Sequence, residues 1–171
     1  MLSFGAGGIE RLIATFDLSR PGNAEEVLSI RGKSMSIADC KVINFPKIAD
    51  PRGNLTFIEN SRHIPFDIKR VFYLYDVPGG ETRAEHANVT LQQVITAMSG
   101  SFDVVVDDGF ERKIFTLNRS YYGLYIPGMI WRGLENFSSG SICMVLTDDY
   151  YNAEDYYRDY GEFLAAVKAG K

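Results

Sequence analysis

The sequence predicts an all-β domain, a sandwich-like barrel of short strands with a short helix at its C-terminal end. Short runs of β-branched and aromatic residues succeed one another along the chain, and turn residues separate them. Tyrosine and phenylalanine are abundant, at 10 and 11 copies, which suits a β-rich chain. Many short strands with regular turn signals are typical of sandwiches and barrels.

Residues 1–36 differ in pattern from the rest of the chain, and we interpret them as an N-terminal extension ahead of a domain over residues 37–171. Apolar residues at helical spacing between Ile9 and Phe16 predict a short amphipathic helix. A turn is predicted at Ser19–Asn23. The segment is interpreted as an upstream extension rather than as a functional arm.

From Cys40 onward the pattern changes to strands. The clearest strand is Ile68–Val77, on which Tyr73 and Tyr75 share one face while Arg70 and Phe72 share the other. The remaining strands are predicted over 41–45, 55–58, 89–98, 101–106, 112–117, 122–126, 131–134 and 141–147.

Turn residues separate these strands. Asp107–Gly109 predicts a hairpin turn, and Pro127–Gly128 predicts another turn. After the last strand, Asn152 is predicted to cap a helix with Asp155 in its first turn. The apolar stripe of that helix would consist of Tyr156, Tyr160, Phe163 and Val167.

Composition excludes several classes of function. The chain has 171 residues and a net charge of −4, which argues against nonspecific nucleic-acid binding but permits a local arginine cluster. No apolar run approaches the ~20 residues of a membrane span. Cys40 and Cys143 form neither a C-x-x-C pair nor a disulfide framework, so two reduced thiols are expected. We expect a cytoplasmic protein.

The chain carries two histidines, and one of them lies in a distinctive stretch, Glu81–Gln93. The spacing of Gly80, His86, Asn88, a glutamine at 92 or 93, and Gly100 is similar to the first motif of the cupin barrel. In that motif two histidines and a glutamate point into the barrel and hold a metal. His86 and Asn88 are two residues apart on a strand, so both are expected to face the interior.

A second stretch matches the skeleton of the second cupin motif, with Gly123, Pro127 and Asn136 in place and Arg132 where a third histidine ligand would stand. A guanidinium cannot coordinate a cation, although it can bind phosphate or a developing enolate. Only one of the four expected ligands remains. We therefore expect no metal and no other cofactor.

Several segments together resemble the nucleotide-sugar 3,4-ketoisomerases. They are R-x-x-H-A-x around His86, RGNL from Arg52, IPFDIKRVFYLYDVPGG from Ile64, GLYIPGMIWR from Gly123 and LTDDYYNAEDYYRDYGEF from Leu146. The resemblance implies an RmlC-like cupin, a double-stranded β-helix or jelly-roll barrel. It implies an isomerase that moves the keto group of a dTDP-4-keto-6-deoxyhexose from C4 to C3 in deoxyaminosugar synthesis. It also implies a homodimer with exchanged N-terminal strands, for which residues Val42 to Ile58 are apolar enough.

The resemblance assigns His86 as the catalytic base and places Asn88 where the family has a second histidine and Ala84 where it has a glycine. Tyr73 and Tyr75 are expected to point inward beside His86, as a catalytic and a substrate-binding residue respectively, or to fill the core.

The remaining candidates are mostly polar. Arg83 is expected to act in catalysis on the diphosphate or the C4 oxygen. Arg52 either contacts ligand across a dimer or stabilises a turn, and Trp131 is either a wall of the site or a core residue. Gln93, or Gln92 if a bulge shifts the strand, and Arg132 complete the expected substrate-binding set.

Three functions fit this pattern. The first is a 3,4-ketoisomerase with His86 as its base. The second is an enzyme that exchanges or epimerises the C3 proton of the same sugar, and the third is a noncatalytic protein that binds a nucleotide sugar or a partner enzyme. An asparagine amide does not titrate near neutrality and cannot serve as a base, so Asn88 leaves these three alternatives open.

Overall fold

The structure is a computed structural model that describes residues 35–170. The helix predicted between Ile9 and Phe16 lies outside the described residues. The described residues contain twelve strands, one α-helix, and 3₁₀ turns at Ile37–Asp39 and Ala153–Asp155. The strands and helix are β1 (Lys41–Asn44), β2 (Lys47–Ile48), β3 (Leu55–Thr56), β4 (Arg70–Leu74), β5 (Arg83–Asn88), β6 (Gln93–Ser99), β7 (Phe102–Asp107), β8 (Arg112–Leu117), β9 (Tyr122–Ile126), β10 (Trp131–Glu135), β11 (Ile142–Thr147), β12 (Tyr156–Tyr157) and α1 (Tyr160–Ala169).

Ten of these strands form two five-stranded antiparallel sheets. The first sheet has the order β1-β9-β6-β11-β4, and the second has the order β12-β5-β10-β7-β8. Apolar residues from both sheets pack into one core, including Val104, Leu124, Leu134 and Val145. Within the described part of the chain the two sheets therefore form an open jelly-roll sandwich rather than a closed barrel, and the predicted all-β cupin class is confirmed.

The partner strand determines which face of β4 points inward. Phe72 lies opposite Val145 and Leu74 lies opposite Cys143, and both side chains pack against the core. Tyr73 and the nearby Tyr75 are 56% and 66% exposed. Because side chains alternate along a strand, the tyrosines face outward. The predicted position of Tyr73 and Tyr75 beside His86 is wrong.

The turn between β9 and β10 aligns the two cupin motifs. The backbone N–H of Met129 donates to the carbonyl of Asn88 at 2.7 Å, which fixes this turn against the end of β5. Gly128 is required there because a Cβ at this position would lie 2.7 Å from the carbonyl oxygen of Val89. As a result Arg132 lies directly opposite His86 in the ladder.

The C-terminal helix begins later than predicted. Asn152 caps only the 3₁₀ turn, and α1 starts at Tyr160 with Asp159 as its N-cap. Tyr156 and Tyr157 form β12, which pairs with β5. The prediction failed because a strand partner far away in the sequence takes these residues from the helix. Among residues 35–170, no helix is long and apolar enough to cross a membrane.

Candidate active site

Three strands from both sheets bring four polar side chains together in the interior. His86 and Asn88 come from β5, Arg132 from β10 and Gln93 from β6. Asn88 is 1% exposed, and Gln93 and Arg132 are 3% exposed, while His86 keeps partial access to solvent. The expected alternation along β5 is confirmed, because His86 and Asn88 both reach Arg132.

The guanidinium of Arg132 organises this cluster. Its Nη2 lies 2.7 Å from His86 Nε2 and donates to Asn88 Oδ1, and its Nη1 donates to the carbonyl of His86 at 3.4 Å. The amide oxygen of Gln93 accepts from Arg132 Nε and, at 3.1 Å, from Nη2. The choice between two glutamines is thus resolved, since Gln92 is occupied by Asp148 and Tyr125 instead.

His86 is neutral in this environment. Burial, together with the positive charges of Arg132 and Arg158, lowers its pKa from 6.5 to about 3. An arginine only donates hydrogen bonds, so His86 Nε2 accepts and the ring proton lies on Nδ1. Burial also lowers the pKa of Arg132 to about 9, which leaves the guanidinium charged at neutral pH.

The donor set of this cluster does not fit a metal ion. The other members of the His86 cluster are two amides and a guanidinium, and a buried positive charge 2.7 Å from Nε2 repels a cation. Within residues 35–170 no group of three or more histidine, cysteine or acidic side chains has the arrangement of a metal site. The side chains of the cluster themselves therefore carry the chemistry of the site.

A second cluster, which we call the cationic rim, adjoins His86 and consists of Arg70, Tyr151, Tyr156 and Arg158. The ring of Tyr156 lies 4.8 Å from that of His86, and Arg158 lies over Tyr156 at 4.7 Å. Tyr151 is 5.7 Å from Tyr156, accepts from Arg158 at 3.5 Å, and lies beneath Arg70 at 5.5 Å. The rim therefore extends from the histidine to the outer strand β4.

Among the described residues, the two arginines of the rim, Arg70 and Arg158, have no carboxylate partner. The Nε of Arg70 is buried and has no hydrogen-bond partner among these residues. Unpaired guanidinium groups beside aromatic rings suit a phosphate-bearing ligand, because a guanidinium binds phosphate in bidentate fashion.

Sequence reasoning misses the cationic rim. Alternation along β4 places Arg70 on the face opposite Tyr73. Had the inward face of β4 been known, the same alternation would have predicted Arg70 as a site residue. Tyr156 fits the apolar stripe of the predicted helix. The signal that could have identified it is the DYYNAEDYYRDY run from Asp149, which is rich in aromatic residues and contains an arginine.

Three other predicted site residues lie elsewhere. Trp131 faces away from Arg132 and packs under α1, with its ring 5.2 Å from Tyr160 and 5.7 Å from Phe163. The packing alternative for Trp131 is thus supported, and a role as a wall of the interior site is wrong. Arg52 is exposed and donates to Asp50 at 2.8 and 3.0 Å, as expected of a turn-stabilising arginine.

Arg83, the third of them, is exposed at the start of β5, next to an irregularity in the strand. The pairing with β10 slips by one residue between His86 and Arg83, and Ala84 within this bulge has φ of 60°. Glycine adopts that conformation without steric cost, which explains why the resembling family uses glycine here. Because of the slip, Arg83 lies opposite Leu134 in the ladder, two residues along β10 from Arg132.

Comparison with known proteins identifies the family. The profile of the family FdtA: WxcM-like, C-terminal matches residues 38–168. The chain belongs to this family. A curated relative, TDP-4-oxo-6-deoxy-alpha-D-glucose-3,4-oxoisomerase from Aneurinibacillus thermoaerophilus, is 46% identical over 123 residues, which cover 72% of this chain and 88% of the relative.

Solved structures of related enzymes agree with this family. A 3,4-ketoisomerase from Helicobacter canadensis is 44% identical with a TM-score of 0.74, over 76% of this chain and 98% of that chain. The 3,4-ketoisomerase QdtA from Thermoanaerobacterium thermosaccharolyticum is 36% identical with a TM-score of 0.76, over 78% and 97% of the chains. That structure is of a histidine-to-asparagine variant in complex with TDP-4-keto-6-deoxyglucose. The expectation of a sugar-nucleotide 3,4-ketoisomerase is confirmed.

Proposed function

We propose that this protein moves the keto group of a TDP-4-keto-6-deoxyhexose from C4 to C3, with His86 as the base and Arg132 as the stabiliser of the enediolate. The observation that carries the proposal is the neutral imidazole of His86 held 2.7 Å from a buried, charged guanidinium. A base and a fixed positive charge are the two groups that proton abstraction next to a ketone requires.

The reaction proceeds through two proton transfers at carbon and one between the two oxygens. When the substrate oxygens draw the Arg132 hydrogen bond away from its lone pair, His86 Nε2 takes the proton from C3. The electron pair of the broken C–H bond forms the double bond of an enediolate between C3 and C4. A proton is then delivered to C4, and the proton of the C3 hydroxyl moves to the C4 oxygen as the new carbonyl forms at C3. His86 carries the abstracted proton and is therefore itself a donor for C4.

Arg132 has the position and charge to stabilise the intermediate. Negative charge develops on the oxygens at C3 and C4, next to the carbon from which His86 takes the proton. A buried guanidinium is already oriented by Asn88 and Gln93, so little reorganisation is needed when the charge forms. Such preorganised stabilisation usually contributes most to catalysis.

The cationic rim supplies the diphosphate site. Arg70 and Arg158 lie next to the base without carboxylate partners among residues 35–170, and Tyr151 and Tyr156 provide hydroxyl groups and ring faces. Phosphate bound beside Arg158 would offset the field of that arginine on His86. The pKa of His86 would then rise from its lowered value, while burial and Arg132, the two larger causes, would still hold it below 6.5.

Asn88 is the main departure from the family pattern. Its amide accepts from Arg132 and donates to the carbonyl of Asp155 at 3.2 Å, so it holds the guanidinium but transfers no proton. The proposal therefore assigns both proton transfers at carbon to His86. If His86 returned the proton to C3 instead of C4, the protein would be a proton-exchange enzyme or, with another donor, a C3 epimerase.

Product analysis tests the proposal. TDP-4-keto-6-deoxyglucose is incubated with the protein in heavy water, and the products are identified by NMR. We expect a 3-keto sugar. A 4-keto sugar labelled or inverted at C3 would establish the exchange or epimerase alternative, and an unchanged sugar that still binds would establish a noncatalytic protein.

We also propose a homodimer. The outer face of the first sheet exposes Tyr73, Tyr75, Met98 and Ile142, and among residues 35–170 strand β4 pairs only with β11, at the edge of that sheet. In the single chain β1 pairs with its own β9, and the short β2–β3 pair exposes Ile48 and Leu55. Exposed apolar strands beside a sheet edge suit exchange with a second copy.

In that dimer Arg52 remains a candidate for a contact with the ligand of the second copy. The proposal places the reaction in the cytoplasm, which the two buried free thiols, Cys40 and Cys143, support.

A further inference from the structure

The segment that comes after β11 forms one wall of the candidate site, and one carboxylate fixes it there. Asp155 Oδ1 accepts from the backbone N–H of Thr90 and from its hydroxyl, both at 2.9 Å, and Oδ2 accepts from the N–H of Leu91 at 3.2 Å. The backbone carbonyl of Asp155 accepts from the N–H of Val89 at 2.9 Å and from Asn88 Nδ2 at 3.2 Å. These hydrogen bonds join one residue to the end of β5 and to the turn after it.

The residues after Asp155 depend on this attachment. Tyr156 and Tyr157 form a strand of only two residues, which pairs with Asn88 and Ala87. Because so short a strand has few ladder hydrogen bonds of its own, the attachment of Asp155 largely sets its position. That position puts the Tyr156 ring 4.8 Å from His86 and Arg158 over Tyr156.

The carboxylate of Asp155 does not itself reach the reacting groups. Its oxygens are directed at the turn Thr90–Leu91, where three donors satisfy them. Its influence on His86 therefore passes through Tyr156 and Arg158. Burial lowers the pKa of Arg132, and the Tyr156 hydroxyl and the Asp155 carboxylate both act in the opposite direction.

We propose that Asp155 is a positioning residue for the ketoisomerase reaction, which holds Tyr156 and Arg158 against His86 by anchoring β12 to the turn after β5. This inference rests on the proposed function for its kinetic consequence, whereas its structural consequence can be measured without turnover. Loss of the anchor displaces the diphosphate-binding arginine and one wall of the pocket together.

The test compares Asp155→Ala with a matched control. Asp103, on β7, accepts hydrogen bonds from Thr116 Oγ1 at 2.6 Å and from Asn136 Nδ2 at 2.9 Å. Asp103→Ala therefore also removes a carboxylate that joins separate parts of the fold. We expect Asp155→Ala to lower kcat/KM by on the order of 10²-fold, mostly through KM, since small displacements of positioned groups have effects of this size. Asp103→Ala should leave kcat/KM within about threefold, because surface changes away from the site are usually mild.

A second readout separates positioning from general stability. The chain has two histidines, so imidazole NMR resolves His86 with His63 as an internal reference. The groups that face His86 are Arg132, Asn88 and Tyr156, with Arg158 beyond. We expect Asp155→Ala to raise the pKa of His86 by about one unit or more, as the field of Arg158 is lost and solvent enters.

Two further variants keep the proposal falsifiable. Asp155→Asn retains an oxygen for Thr90 but turns an amide toward the N–H of Leu91, and we expect an intermediate loss of kcat/KM. In an Arg158→Met background, Asp155→Ala should lower kcat/KM by much less than it does in the wild type, because both changes remove the guanidinium of Arg158 from its position beside His86.

The outcomes separate the two claims. Full additivity of the double variant, or a His86 pKa unchanged in Asp155→Ala, would overturn the positioning role. A wild-type protein without isomerase activity, whose His86 pKa still shifts in Asp155→Ala, would overturn the proposed function and leave the anchor standing. If Asp155→Ala does not fold, Asp155→Asn decides by the same two readouts.

Discussion

The neutral, buried state of His86 makes the stability of the protein depend on pH in a calculable way. The pKa of His86 is about 3 in the folded state against 6.5 in the unfolded chain. A histidine with a lowered folded pKa binds fewer protons when folded. The free energy of unfolding is therefore unaffected above pH 6.5 and falls as the pH drops from 6.5 toward 3.

The size of this effect can be worked out from the two pKa values. Between pH ~7.5 and pH ~5.0 the unfolded chain gains nearly one proton at this site while the folded protein gains almost none. Linkage then gives a loss of about 2 kcal/mol in the free energy of unfolding. With a urea m-value of ~2 kcal/mol per molar, the unfolding midpoint moves down by about 1 M.

Urea titrations at these two pH values, at one fixed protein concentration, measure the effect in three proteins. The wild type and His63→Asn should both show the full decrease of about 1 M in midpoint. His86→Asn lacks the titrating group, so the decrease of about 1 M in the urea midpoint that His86 causes should be absent. The difference between variants removes contributions from other groups, including Asp148, whose pKa is raised by burial.

An equal decrease in wild type and His86→Asn would refute the reasoning. It would mean that the folded protein accepts a proton at His86 near the ordinary pKa. The guanidinium of Arg132 would then lie farther from the ring than 2.7 Å.

Three further predictions concern the site and the surface. Arg132→Met should lower kcat by ~10²–10³ with KM nearly unchanged, whereas Arg158→Met should mainly raise KM, and the opposite pattern in steady-state kinetics would exchange their roles. Asn88→His should change turnover by about tenfold or more, upward if a missing acid–base group is restored and downward if a fitted amide is lost, and an unchanged rate and product would place Asn88 outside the reaction. Light scattering at micromolar concentration should give twice the mass of the chain and Tyr75→Glu the mass of one chain, while a monomeric wild type would contradict the proposed dimer.

The fold was predictable because it depends on local signals that the chain repeats. Turn residues such as Pro127–Gly128 and alternating apolar residues mark most strand boundaries, and these signals act over a few residues. The buried cluster was predictable for a different reason. The resembling motifs place His86, Asn88 and Arg132, and alternation puts the first two on one face.

The rest of the site depends on contacts between residues far apart in the sequence. Which face of β4 is buried is set by its pairing with β11, so aromatic content misled the assignment of Tyr73 and Tyr75. Tyr156 fits a helical stripe locally, but its pairing with Asn88 draws it into a sheet. In both cases tertiary contacts override a local preference.

The central claim is that His86 takes the C3 proton, and exchange of that proton in heavy water tests it most directly. Wild type and His86→Asn are incubated with TDP-4-keto-6-deoxyglucose, and deuterium at C3 and C4 is followed by NMR alongside binding of TDP. We expect the wild type to form a 3-keto sugar, with deuterium at C4 to the extent that the proton carried by His86 exchanges with solvent before its delivery. His86→Asn should bind TDP within a few-fold of wild type and should show neither exchange nor product, because affinity comes mainly from the arginines. A His86→Asn protein that still exchanges the C3 proton at the wild-type rate would contradict the claim and place the base elsewhere.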